Sequence, residues 1–200
     1  MIELEEKIMT EGTVLPGNIL KVDAFLNHQI DIELMDHIGR AFYERYKGTQ
    51  ITKILTIETS GIAPACFTAQ KFGVPLIIAK KSISPNLGTE LYTTIVHSYT
   101  HDCNYHVSMN KNYLSAEDHV LIVDDFMANG LATEGLIDIC HQAGATVEGL
   151  GICIEKGFQD GGKKLREKGV RVESLAFIRS MSDYAIAFRT QKEPFEEDAE

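Results

Sequence analysis

The chain has 200 residues, 44% of them hydrophobic and 24% charged, which suits one domain with a sizeable core. Its 19 basic and 29 acidic residues give a formal net charge of -10, which argues against broad binding to a nucleic-acid backbone but allows one small anion to be held locally. The cysteines, Cys66, Cys103, Cys140 and Cys153, show neither a C-x-x-C pair nor zinc spacing, no segment approaches the roughly 20 apolar residues of a membrane span, and the acidic N-terminus (Glu3, Glu5, Glu6) lacks a leader's apolar run, so a reducing cytoplasm is the expected setting.

Glu3 to Met9 reads as a short helix, broken by Gly12 and Pro16-Gly17, and Asn18 to Asn27 as a mixed apolar segment. From Asp31 to Tyr46, Ile32, Met35, Ile38, Phe42 and Tyr46 recur every three or four positions, as on the buried face of a helix. Ile51 to Ile57 is a buried strand. Pro64 to Phe72 follows as a helix that Gly73 can close, and Pro75 to Ala79 as the next strand. Residues 80 to 119 mix polar, aromatic and β-branched residues, with partial alternation over Leu91 to Tyr99 and Tyr105 to Met109 that suits hairpin strands. That excursion is long for a plain loop, so a mobile flap is expected over 80–119.

Val120 to Val123, Val147 to Ile154 and Val170 to Phe177 are further strands, with helices Thr133 to Ala143 and Gly162 to Lys168 between them; the acidic tail from Gln191 should fray. Strand–helix alternation predicts an α/β fold, a doubly wound and mostly parallel sheet, within a single domain over 1–200. Ligands in such sheets sit at the carboxyl ends of the strands. Three polar loops meet there: Glu58 to Gly61, Asp124 to Ala132, and Glu155-Lys156-Gly157.

The second loop is the most informative. A strand runs into the adjacent carboxylates Asp124 and Asp125, then into the small residues Ala128-Asn129-Gly130, then into a helix. Carboxylates can accept from sugar hydroxyls, and loop and helix amides can hold a phosphate. Two rival motifs are weaker. His97, His101 and His106 include a pair four apart, but on strands that pair is poorly placed towards a third metal ligand. Gly157-x-x-x-x-Gly162-Lys163 opens like a phosphate-binding loop, but Lys164 stands where Ser or Thr should follow.

The stretch Val120 to Thr133 resembles the signature of the type I phosphoribosyltransferases, with Asn129-Gly130 where members commonly carry Thr-Gly. The likeness extends over most of the chain: Leu20 to Asp23, Phe25-Leu-Asn-His-Gln-Ile-Asp31, Thr59 to Pro64, Asp118 to Phe126 and Val172 to Ala176. Within the family it is strongest towards the bacterial enzymes that use xanthine. The resemblance implies a type I phosphoribosyltransferase fold with a small N-terminal hood over about residues 1–35. It implies transfer of the 5-phosphoribosyl group from phosphoribosyl pyrophosphate (PRPP) to xanthine, with Mg²⁺ carried by PRPP or pyrophosphate, no metal site of the protein's own, and a homodimer.

By the same resemblance, Asp124 and Asp125 fall at the ribose hydroxyls as the catalytic pair. Ala128, Asn129, Gly130, Leu131 and Ala132 fall at the 5′-phosphate. Thr59, Ser60 and Gly61, in the loop from Glu58, fall at the pyrophosphate, and Leu20, Asn27 and Lys156 at the xanthine ring. Ala128 stands where relatives using hypoxanthine and guanine carry a carboxylate, so the resemblance names no general acid or base here. Whether Lys80 or Lys81 reaches the pyrophosphate is left open. The alternatives are a preference for guanine or hypoxanthine, or a purine- or PRPP-sensing transcriptional regulator on the same fold. A regulator needs a basic surface or an added DNA-binding module, and neither is evident here.

Overall fold

The computed structural model describes residues 1–82, 90–98, 103–182 and 185–189. The chain opens with α1 (Ile2–Glu11), the short strands β1 (Thr13–Leu15) and β2 (Ile19–Lys21), and a π-helical turn over Asp23–Asn27. Then come α2 (Ile32–Tyr46), β3 (Lys53–Ile57), α3 (Ile62–Phe72), β4 (Leu76–Ala79), and the hairpin β5 (Leu91–Ser98) and β6 (Cys103–Asn110). The second half is β7 (His119–Met127), α4 (Leu131–Ala143), β8 (Thr146–Lys156), α5 (Gly161–Glu167), β9 (Val172–Ser182) and β10 (Ala185–Phe188).

The main sheet has six strands in the order β10-β9-β8-β7-β3-β4, all parallel except β10, which pairs antiparallel at the edge. From β3 the chain winds outward to β4, and from β7 it winds the other way to β8 and β9. Strand order therefore reverses between β3 and β7, where open α/β sheets form their ligand crevice. The carboxyl ends of β3, β7 and β8 are adjacent there, which brings the loops from Glu58 and Asp124 near the strand end at Lys156.

Both faces of the sheet are covered, which is why its strands read as continuous apolar runs. On one side Leu121 and Val123 of β7 meet Leu4 and Ile8 of α1 and Met35, Ile38 and Phe42 of α2. On the other, Val120 and Ile122 meet Leu136 and Ile139 of α4 and Val96, Val107 and Met109 of the β5–β6 hairpin. Asp31 caps α2, its Oδ1 accepting from the Leu34 amide at 3.1 Å, and Gly73, at φ 67°, closes α3.

Three elements differ from expectation. Asn18 to Asn27 is not one segment: Asn18, at φ 59°, turns the chain into β2, and a π-helical turn follows. The strand read as Val120 to Val123 does not stop at the carboxylates, because the parallel ladder with β8 continues through Asp124↔Ile152, Phe126↔Ile154 and Met127↔Glu155. The short edge strand β10 lies where no strand was expected.

The excursion over 80–119 contains the expected hairpin, with Leu91 paired to Asn110 and Ser98 to Cys103. Its root is fastened. Lys80 and Ser108 exchange backbone hydrogen bonds of 2.9 Å each, and the Gln142 amide of α4 donates to the Thr93 carbonyl at 2.9 Å. The remainder of the expected flap, at 83–89 and 99–102, and the tail from Gln191 lie outside the described residues, as does His101.

Candidate active site

Asp124 is the most buried carboxylate of the crevice, at 6% exposure, and Asp125 beside it is half-buried. The Asp125 amide donates to Asp124 Oδ1 at 2.9 Å, folding the first side chain back along the strand. Burial, then the neighbouring Asp125 charge, raises the Asp124 carboxyl well above the ordinary carboxylate range. Burial raises Asp125 as well, against hydrogen bonds that lower it. Two carboxylates held this close to a low-dielectric core suit a partner that brings positive charge or hydroxyl donors.

Past the pair, the chain turns through Ala128, Asn129 and Gly130. Asn129 Oδ1 accepts from the Leu131 amide at 3.3 Å, and Gly130 takes φ 81°, a left-handed conformation that glycine adopts at no steric cost. α4 begins at Leu131, two residues before the expected start at Thr133. The early amides of a helix lack intrahelical acceptors, so the turn over Leu131 and Ala132 is a natural anion cradle.

On the β3 side, Glu58 is tied across to the end of β4. Its carboxylate accepts from the Lys81 amide at 2.7 Å and from Lys80 Nζ at 3.2 Å. Burial opposes ionisation of Glu58, but those two contacts hold it below its ordinary value. Lys80 thus closes the loop containing Thr59, Ser60 and Gly61. Gly61 packs directly on the acidic pair: a Cβ there would sit 2.5 Å from Asp124 Oδ1 and closer still to Thr56 Oγ1. The fully buried Thr56 hydroxyl has no hydrogen-bond partner among the described residues.

On the β8 side, Lys156 points towards the N-terminal hairpin. Its Nζ donates to the Asn18 carbonyl at 2.9 Å and lies 5.7 Å from the Phe126 ring centroid; burial lowers its pKa. Leu20, paired opposite Val14 on β2, is 6% exposed and packs into the core. Asn27 ends the π-helical turn, and its buried Oδ1 has no hydrogen-bond partner among the described residues, an acceptor that a bound N–H or O–H donor would satisfy.

The third loop contributes less than expected. Glu155 does not join the crevice: it is 1% exposed and its two oxygens accept from Arg166 Nη1 and Nη2, both at 2.7 Å. Sequence reasoning overlooked Phe126, which the extension of β7 sets beside Lys156. The Asp-Asp-Phe run was visible, but its use depends on strand length. Among the described residues no group of three or more His, Cys, Asp or Glu side chains is placed to hold a metal ion. His97 Nδ1 lies 3.0 Å from Asn104 Oδ1.

The phosphoribosyl transferase domain profile matches residues 23–184. The chain belongs to the phosphoribosyltransferase family. Curated relatives include the xanthine phosphoribosyltransferase of Bifidobacterium adolescentis, 59% identical over 90% of this chain and 94% of that protein. The protein of the same name from Finegoldia magna is 54% identical over 94% of this chain and 99% of that one. Among solved structures, the adenine phosphoribosyltransferase of Rhodothermus marinus superposes with a TM-score of 0.73 at 22% identity, covering 89% of this chain and all of that one, a likeness of fold. The α/β architecture and its mostly parallel sheet are therefore those of phosphoribosyltransferases.

Proposed function

We propose that this phosphoribosyltransferase transfers the 5-phosphoribosyl group of PRPP to xanthine, giving xanthosine 5′-monophosphate and pyrophosphate in purine salvage. The observation that carries this reading is 54–59% identity, over nine-tenths of the chain or more, to proteins bearing the xanthine phosphoribosyltransferase name. The crevice chemistry agrees with it.

In the transfer, the bond from the ribose anomeric carbon to pyrophosphate breaks, and its electron pair leaves with the pyrophosphate. A ring nitrogen of the base supplies the pair for the new bond, and its proton passes to solvent. Positive charge builds on the sugar between the two events, so no protein nucleophile is required. Asp124 and Asp125 hold the ribose hydroxyls and stabilise that charge; their raised pKa values are the cost of placing two acceptors in a dry pocket. Residues Ala128 to Ala132 hold the 5′-phosphate with amides, and Thr59, Ser60 and Gly61 hold the pyrophosphate.

Xanthine is an acidic purine, and the half-buried Lys156 ammonium favours its oxygen-rich edge. The buried Asn27 oxygen, without a partner among the described residues, takes an N–H from the ring, and Leu20 bounds the pocket. Mg²⁺ carried by PRPP would offset the charge of the leaving pyrophosphate, held by substrate phosphates and its own waters. The β5–β6 hairpin stands at the crevice side as a cover that excludes water. We place the enzyme in the cytoplasm, in keeping with free thiols at Cys66, Cys140 and Cys153, and as a homodimer.

The test is direct: incubate the protein with PRPP, Mg²⁺ and each purine base, and measure nucleotide. Xanthosine monophosphate should form with the highest kcat/KM. A clear preference for guanine or hypoxanthine would overturn the assignment of the base, and no turnover with any purine would overturn the activity. Gel filtration giving only a monomer of 22.2 kDa would overturn the dimer.

A further inference from the structure

Gly157 to Lys163 has the glycine spacing of a phosphate loop, but the helix that follows is only seven residues long and its first two glycines meet protein, not open space. Gly161 lies against the 128–130 turn. Its amide donates to the Ala128 carbonyl at 3.1 Å. A Cβ at Gly161 would sit 2.5 Å from each of Ala128 O, the Asn129 carbonyl carbon and Gly130 N. A Cβ at Gly130 would in turn come within 3.1 Å of Gly161 Cα and 3.4 Å of Leu165 Cδ1. Two backbones therefore touch without side chains between them, and the buried Leu165 side chain lies beneath.

Gly162 faces the other way. A Cβ there would overlap Glu155 Oε1 and lie 2.7 Å from Arg166 Nη1. Those atoms belong to the buried bidentate ion pair, to which the Ser174 hydroxyl also donates. A carboxylate this deeply buried cannot shift without losing compensation for its charge. It is also the residue next to Lys156 at the end of β8.

The geometry points to Gly161-Gly162 as a positioning step that fixes the 5′-phosphate turn and the Lys156 strand end relative to one another, one glycine serving each. This rests on the assignment of residues 128–132 to PRPP and of Lys156 to the base. The anomeric carbon and the attacking nitrogen must be brought into contact, so the spacing between the two subsites matters as much as the contacts within either. A rigid element that packs on both sets that spacing. The glycine pair does this by close approach and contributes no group to the ligand.

Steady-state kinetics of Gly161→Ala and Gly162→Ala, with both substrates varied, tests it. Gly161→Ala should lower kcat/KM for PRPP by up to about 100-fold, the scale of a 1 Å misplacement, with xanthine KM changed less than about twofold. Gly162→Ala should raise xanthine KM about tenfold while PRPP KM stays near the parent value. Parallel changes in both KM values, or none in either, would overturn the positioning role. If either variant fails to fold, Leu165→Val, which removes one methylene beneath Gly130, and Arg166→Lys, which breaks the bidentate pair, should show the same split at smaller size. Loss of that split in these variants overturns the proposal too. A parent enzyme that turns over no purine overturns the functional reading and this inference with it; an active parent with unselective variants overturns the positioning alone.

Discussion

The turn from β7 into α4 offers its acceptors and amides from consecutive residues, 124 to 132, whereas the proposed base side gathers Leu20, Asn27 and Lys156 from β2, the π-helical turn and the end of β8. In the first region the groups follow one another in the chain, on a strand, a left-handed glycine and a helix N-terminus, with Gly161 packed against the turn from outside. In the second, placement depends on long-range contacts, such as Lys156 Nζ on the Asn18 carbonyl across most of the chain. A site of the first kind should respond chiefly to substitution at its own residues and at the one loop, through Gly161, that packs on its turn. A site of the second kind should also respond to changes far along the chain.

The sharpest break should come at Asp125. Asp125→Ala removes one preorganised carboxylate from the place where positive charge develops, and kcat should fall about 10²- to 10³-fold. Steady-state rates with saturating PRPP and xanthine check this, and a near-normal rate would remove Asp125 from the site. The acid limb of the wild-type profile belongs to the same pair. Because burial raises both carboxyls, activity should be lost on acidification at a pH above the ordinary carboxylate value of about 3.9.

Lys156→Ala comes next. Removing a charged hydrogen-bond donor costs about 1.5–3 kcal/mol, so xanthine kcat/KM should fall roughly 10- to 150-fold with PRPP KM little changed. An equal loss for both substrates would contradict the division of the crevice into two sides.

The same contrast governs what the sequence disclosed. The continuous apolar strands, the period of α2 and the strand–acid–glycine–helix stretch are local patterns, and they yielded the doubly wound sheet and the crevice. The ends of elements were less legible. β7 extends past its carboxylates because β8 offers a ladder as far as Glu155, a fact about a partner strand. Phe126 was hidden for that reason. Glu155 looked like part of a polar loop, but its partner Arg166 lies a helix away and turns it into the core. The Asn18 to Asn27 segment lacked a clear period because a hairpin and a π-helical turn share it. Long-range pairing was also out of reach for Gly161, whose neighbour is the backbone of another loop.

Asp124 separates function from stability. Its folded pKa is raised, so its contribution to stability is fully present below the unfolded value and is lost as pH rises through the folded one. Above the folded value the ionised pair therefore weakens the fold. Asp124→Asn keeps an oxygen for the Asp125 amide and drops a charge; it should stabilise by about 0.5–2 kcal/mol while impairing turnover. Thermal melts followed as pH falls should show the gain shrink as the wild-type carboxyl takes up its proton. A variant less stable than the parent at neutral pH would contradict the strain assigned to the pair.

The smallest effect expected lies at Asp31, remote from the carboxylates but near the base side. Its carboxylate caps α2 through the Leu34 amide and bridges to Lys7 Nζ at 2.8 Å, while its own amide donates to the Phe25 carbonyl at 2.9 Å, within the turn that ends at Asn27. The Lys7 contact, then the Leu34 amide, lowers its pKa, so its contribution is present above the unfolded value of about 3.9 and is lost as pH falls through the folded one. Asp31→Ala should cost about 1 kcal/mol, mostly the cap, because a partly exposed ion pair adds little. In a chain of this size that lowers Tm by about 2–4 °C. Asp31→Asn keeps the cap and loses only the pair, so it should melt near the parent. Because the residue also anchors the turn before it, Asp31→Ala should raise xanthine KM slightly and leave PRPP KM alone. A fall in Tm with both KM values unchanged would show that the π-helical turn holds Asn27 without help from α2, and the base side would then be more local than the contrast with β7–α4 implies.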